Sequence, residues 1–158
     1  MGGTAGGTIY VPVGLGSGIC GVIAAREALG LTTEVVGVVA ENAPTYALSF
    51  AAGHPVPTNR ADTLAEGIAV RVPDAEALAI ILKGAARIVT VSEAEIRQAA
   101  RAMFNDTRNL AEGAGAAPLA AALQERARLT GKRVALIQSG GNIERMLFAE
   151  LLSEAGPE

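Results

Sequence analysis

Val11-Pro-Val-Gly-Leu-Gly-Ser-Gly-Ile-Cys-Gly21 sets four glycines between an apolar β-like run and an apolar helix-like run. Glycine takes positive φ without steric penalty and lets the backbone come close to a ligand. The N–H groups at a helix start carry partial positive charge, so the stretch is built as an anion cradle suited to phosphate. Upstream of it, residues 8–13 read as a buried strand. Downstream, residues 19–29 read as a helix, apolar almost all round, that stops at Gly30. Residues 33–40, with Val35, Val36, Val38 and Val39, make a second β-branched run of the kind buried on both faces in parallel sheets. The first unit is therefore βαβ.

The rest of the chain continues this alternation. Residues 44–52 predict a short helix closed by Gly53, and the stretch from there to Pro73 is a long irregular loop with three prolines. Loops of about 20 residues are uncommon unless they serve a function. Asp74 caps a helix through Lys83, residues 87–91 form a third strand, and Ser92-Glu-Ala-Glu95 is a capping box opening a helix to about Phe104. Glu112-Gly-Ala-Gly115 reads as a small-residue turn, followed by a helix over 116–129 with Pro118 in its first turn, then a strand over 133–138. Ser139-Gly-Gly-Asn142 leads into a last helix over 143–152. The fold class is α/β: an open, mostly parallel sheet with helices on both faces. Residues 1–7 are set apart as a flexible leader, and residues 8–158 as one domain.

Bulk composition narrows the function classes. Aromatics are only 3% of a chain that is 50% hydrophobic, so the core is packed from Ala, Val, Leu and Ile. A net charge of -3 and arginines scattered singly exclude a nucleic-acid field. The lone cysteine, Cys20, cannot form an internal disulfide and sits in an apolar helix as packing, which fits a reducing cytoplasm. No uninterrupted apolar stretch is long enough to span a membrane, which takes about 18 residues. His54, beside Pro55, reads as a surface residue.

Two glycine turns follow two strands, at residues 14–21 and 139–142, and ligands of open parallel sheets sit beyond the strands' carboxyl ends. One reading is a small dinucleotide-binding domain: Gly16, Gly18 and Gly21 fit G-x-G-x-x-G, and Glu41 stands at the end of the next strand where a ribose-binding acid belongs. Its weakness is register, because Gly14 opens the turn and the matching glycines come two residues late.

Five blocks point elsewhere: residues 11–21, Thr63-Leu-Ala-Glu-Gly67, Val89-Thr-Val-Ser-Glu-Ala-Glu-Ile96, Glu112-Gly-Ala-Gly-Ala-Ala117 and Ser139-Gly-Gly-Asn142. In this order and approximate spacing they resemble the threonine/serine dehydratase family, pyridoxal-phosphate enzymes of the tryptophan-synthase-β-like fold (fold type II). The likeness runs from about residue 8 to 146 and covers what in the family is the carboxyl-terminal half. By that resemblance, Gly14, Leu15, Gly16, Ser17 and Gly18 cradle the cofactor phosphate, Ser139 faces the pyridine nitrogen, and Glu112 lies near the bound cofactor, with Glu66 an acid of the loop before the third strand. The family more often has an unbroken glycine run at the cradle. Here Leu15 is read as turning into the core, and the Ser17 hydroxyl as replacing an N–H contact. Seen in isolation, Ser139 is equally a helix N-cap. Some members bind a divalent cation at the end of the second strand; Ala40 stands where the first acid belongs, and no metal is expected.

The resemblance implies β-elimination on a hydroxy amino acid, and it also implies a gap. The family's Schiff-base lysine lies in the first part of its chain, and this sequence has only Lys83 and Lys132, neither in a lysine motif. The expectation is a truncated form, inactive by itself and with no catalytic residue of its own, that holds the cofactor weakly. A non-catalytic module pairing with an amino-terminal half is the alternative. Uncovered apolar surface would then favour a homo-oligomer or that complementing half.

Overall fold

All strand pairings in the sheet are parallel. The computed structural model describes residues 6–154, and within them β1 (Thr8–Pro12), β2 (Glu34–Ala40), β3 (Arg87–Val91) and β4 (Val134–Leu136) lie in the order β3-β2-β1-β4. Seven α-helices surround them: α1 (Ser17–Ala28), α2 (Thr45–Ala52), α3 (Ala75–Gly84), α4 (Glu93–Ala102), α5 (Gly113–Gln124), α6 (Arg126–Leu129) and α7 (Arg145–Ser153). This is the α/β architecture read from the alternating pattern. Residues 1–5 of the leader lie outside the described residues, and Gly7 accepts a hydrogen bond from the Glu34 N–H at 2.9 Å, in line with the β1–β2 ladder.

Successive strand residues point to opposite faces, and the two faces build two cores. Val35 and Val39 of β2 join Val11, Val13, Ile19, Ile23, Tyr46, Leu78 and Ile81 under α1, α2 and α3. Val36, Val38 and Ala40 join Tyr10, Ile96, Leu151 and the alanines of α5 on the other face. Alanine and glycine let α5 press against its neighbours from residue 113 to 122: nearly every position in that stretch is buried. That packing explains why the Glu112-Gly-Ala-Gly115 segment is not a turn. It is the N-cap and first turn of α5, and Pro118 therefore lies inside the helix rather than in its first turn. A side chain at Gly115 would put Cβ 2.4 Å from the Gly140 carbonyl oxygen, so glycine is required at this position of the first turn.

Other boundaries shift for identifiable reasons. The helix read over 116–129 breaks at Glu125, whose carboxylate is drawn to Tyr10 and Arg87, and resumes as α6. The Ser92/Glu95 capping box forms as read, and Asp74 caps α3 by accepting from the Ala77 N–H at 2.8 Å. After α4 the backbone widens into a π-helical turn, Met103–Thr107, closed by Arg108 at φ 61°. The final helix starts at Arg145 rather than residue 143, and β4 is three residues long. β4 is also the one strand exposed along its whole length, with Val134 and Leu136 more than a third accessible. Apolar side chains at Leu29, Leu31 and Met146 are exposed too. Among the described residues no helix is long and apolar enough to cross a membrane.

Candidate functional site

Because the strands run in parallel, the loops after β1 and β4 leave the same edge of the sheet side by side. Tyr10 pairs with Leu136, and the Ile137 N–H donates to the Tyr10 carbonyl at 3.0 Å, just before the chain enters residues 139–142. On the β1 side, Val13 is still held by Val38 at 2.9 Å, and α1 begins four residues later at Ser17. The helix thus starts two residues earlier than the apolar pattern indicated. Gly16 is its N-cap, at φ 101°, and the Cys20 N–H closes the first turn onto the Gly16 carbonyl at 3.0 Å. The N–H groups of Ser17, Gly18 and Ile19 have no carbonyl behind them within the helix. No side chain caps them and no acid occupies the first turn. Ser17 and Gly18 are exposed, so these donors face an open rim.

Leu15 departs from its sequence reading. Its side chain is 68% exposed rather than turned into the core; its carbonyl turns inward instead, accepting a hydrogen bond from the Tyr46 hydroxyl at 2.8 Å. The same hydroxyl accepts from the Asp74 N–H at 3.1 Å. Burial pushes the Tyr46 phenol above its ordinary 10.0, so it remains a protonated donor at neutral pH. Tyr46 was absent from the sequence reading. The available signal was that a tyrosine inside a short apolar helix must find a partner for its hydroxyl when buried.

The remaining blocks converge by close backbone approach. A Cβ at Gly14 would lie 2.5 Å from the Gly67 carbonyl, which brings the long loop of residues 53–73 against the glycine turn. The Glu112 N–H donates to the Gly140 carbonyl at 3.2 Å, and a Cβ at Gly140 would sit 2.3 Å from Glu112 Oε1. Leu64, Glu66, Glu112, Asn142, Ile143 and Leu147 line a cleft of about 300 Å³. Glu93 holds the loop's edge by accepting from the Leu64 N–H at 3.0 Å. Residues 14–18 and Ser139 do not line this cleft. Ser139 is exposed in irregular backbone, and α7 takes Glu144 as its N-cap, so Ser139 caps no helix.

Several other residues stand apart. His54 and Glu41 are exposed in loops, and Cys20 packs beside α3 with its thiol 3.6 Å from the Ala77 carbonyl. Gly21 has open space around its Cβ position. In a dinucleotide fingerprint the third glycine exists to permit close helix–strand packing, and nothing here requires it. Lys83, in the last turn of α3, and Lys132, just before β4, are both exposed. Each lies near the start of a strand, at the sheet edge opposite the glycine turn.

The fold and this geometry define an α/β protein with a glycine turn and an uncapped helix start at the carboxyl edge of a parallel sheet. Residues 3–140 match the model of the family described as "Pyridoxal-phosphate dependent enzyme", and the chain belongs to that family. It is 34% identical over 146 residues to the L-threonine ammonia-lyase of Thermotoga maritima, an alignment covering 92% of this chain and 36% of that protein. The L-threonine ammonia-lyase of Geobacter sulfurreducens is 39% identical over 137 residues, covering 86% and 34%. The chain thus spans about a third of the length of these relatives. Among solved structures, the T.th. threonine deaminase superposes with a TM-score of 0.83 at 35% identity, covering 90% of this chain and 52% of that one. Isoform 2 of threonine deaminase from Solanum lycopersicum gives 0.87 at 26% identity, covering 95% and 45%.

The residues present fit a phosphorylated cofactor. The left-handed Gly16 and the free first-turn donors form a cradle, and the approach of Gly14 to Gly67 leaves no room for a Cβ that would widen the loop.

Proposed function

We propose that this chain is the cofactor-binding half of a pyridoxal-phosphate-dependent ammonia-lyase for a hydroxy amino acid such as threonine or serine, and that it does not turn over substrate by itself. The observation that carries the reading is the uncapped, acid-free start of α1, with the Ser139 turn leaving the neighbouring strand at the same sheet edge. The backbone of Gly14, Leu15, Gly16, Ser17 and Gly18 would hold the phosphate, its N–H groups matching the anion's charge. The Ser139 hydroxyl would meet the ring nitrogen; a neutral partner leaves that nitrogen unprotonated and moderates the pull on electrons, which suits elimination. When bound, the cofactor supplies the electron sink for α-proton removal and loss of the β-hydroxyl. Glu112, held at the turn by Gly140, would lie beside it. Neither lysine reaches this edge, so neither Lys83 nor Lys132 is placed to anchor the cofactor covalently. No residue is assigned a catalytic role.

The exposed β4 and the apolar residues around it support pairing with a complementing amino-terminal polypeptide or a further copy. The test adds pyridoxal phosphate and NAD separately to the purified chain, follows thermal shift and absorbance, and assays keto acid from threonine. Stabilisation by pyridoxal phosphate without keto acid is expected. Keto acid from the chain alone, or stabilisation by NAD only, overturns the reading.

A further inference from the structure

Tyr46 ties the glycine loop to the start of α3, and we propose that it is a positioning residue that keeps the Leu15–Gly16 peptide turned so that its N–H, not its carbonyl, faces an anion. The inference rests on the phosphate-cradle reading above and adds the device that holds the cradle in shape.

A trans peptide points its C=O and N–H in opposite directions. The Leu15 carbonyl is drawn inward to the buried Tyr46 hydroxyl at 2.8 Å, so the Gly16 N–H is directed away from Tyr46. Ser17 and Gly18, with the free donors of the helix start, lie on the exposed side of the loop. Glycine at 16 makes the alternative cheap: with no Cβ there, rotating the whole peptide plane meets little steric resistance. A rotated peptide would set the Leu15 oxygen among those donors, a partial negative charge where phosphate binds. Rotation also breaks the Tyr46 bond and leaves a buried hydroxyl without its acceptor. Tyr46 is itself fixed from behind, because its oxygen accepts the Asp74 N–H at 3.1 Å and its ring is packed with Ile19, Leu78 and Ile81 in one core. One hydroxyl thus spans 31 residues in one direction and 28 in the other, linking α2, the loop and α3.

Tyr46→Phe keeps the ring and removes both hydrogen bonds. The probes are pyridoxamine 5′-phosphate and pyridoxamine, which lack the aldehyde that would react with Lys83 and Lys132, titrated calorimetrically into the full chain. The variant is expected to weaken the phosphorylated probe by about tenfold, the scale of one hydrogen bond, and to leave pyridoxamine unchanged. Equal affinity for the phosphorylated probe, or a parallel loss for both probes as from general damage, overturns the proposal. If the wild type binds neither probe, the cradle reading fails, and amide hydrogen exchange then decides the brace. Faster exchange at Asp74 in Tyr46→Phe supports it and an unchanged rate overturns it. Should the variant not fold, the wild-type Asp74 amide decides: protection supports the brace, and free exchange overturns it.

Discussion

Arg87 and Glu125 form a two-pronged ion pair, with Nε donating to Oε1 at 2.8 Å and Nη2 to Oε2 at 2.6 Å. The side chains are 20% and 13% exposed, and the buried Tyr10 hydroxyl donates into the same carboxylate. The pair joins β3 to the α5–α6 junction and explains why the helix read over 116–129 breaks there. Its hydrogen bonds from Arg87 hold the Glu125 carboxyl below its ordinary 4.5. The folded state therefore binds that proton less tightly than the unfolded chain. The stability it contributes is fully present above the unfolded value and is lost as pH falls through the folded one. Glu125→Gln is expected to cost about 2 kcal/mol at neutral pH, because it leaves a largely buried guanidinium with only the more exposed Glu34, 3.3 Å away, as counter-charge. It should also flatten the acid limb of stability against pH. Arg128→Ala, which removes an exposed partner of the same carboxylate, should cost no more than about 0.5 kcal/mol. Urea unfolding between neutral pH and acid measures both; equal costs would contradict the assignment.

Tyr10 carries the opposite sign. Burial, reinforced by Glu125, pushes its phenol from 10.0 to about 12. A raised folded value means stability is fully present below 10 and declines as pH rises towards about 12. Tyr10 and Tyr46 are the two tyrosines and the chain has no tryptophan, so tyrosinate absorbance reads them directly. Both are expected to titrate above the ordinary phenol. Tyr10→Phe should reduce the alkaline loss to the part that Tyr46 contributes, and ionisation of Tyr10 near 10 in the folded protein would refute its burial beside the carboxylate.

Two glycines of the opening stretch should respond in opposite ways to the same substitution. Gly16→Ala forces a side chain into φ 101° and puts Cβ 2.7 Å from the Ala77 Cβ. The expected cost is about 2 kcal/mol or more, because left-handed backbone and a rigid neighbour both oppose the methyl. Gly21→Ala meets open space in a helix interior and should gain about 0.5–1 kcal/mol. Thermal melts of the two variants check the pair. A loss at Gly21 would restore the close helix–strand packing that a dinucleotide fingerprint demands.

The elements legible in the chain were those whose cause is local. β-branched runs marked β2 and β3, and the second residue of each cap lies three positions from the first, as with Ser92 and Glu95 or Asp74 and Ala77. The five blocks were legible by their resemblance to a family, and in four of them a glycine needed for close approach leaves its mark at its own position. Where reading failed, a distant partner had overruled the local pattern. Glycine and alanine at 113–117 carry no period that separates turn from helix, and what selects helix is the space left between the sheet and α4. Leu15 is apolar, and composition alone sends it inward; its carbonyl went inward instead, because a hydroxyl 31 residues away was waiting for an acceptor.

Alternation, caps and glycine spacing thus specified a parallel α/β sheet and a glycine turn after its first strand, since each follows from contacts within a few residues. The orientation of that turn's peptide, the meeting of Gly14 with Gly67 and Glu112 with Gly140, and the exposure of β4 arose only on folding. They are set by which surfaces lie against one another, and hydrogen-bond geometry between segments 28 or 31 residues apart leaves no periodic trace in either segment.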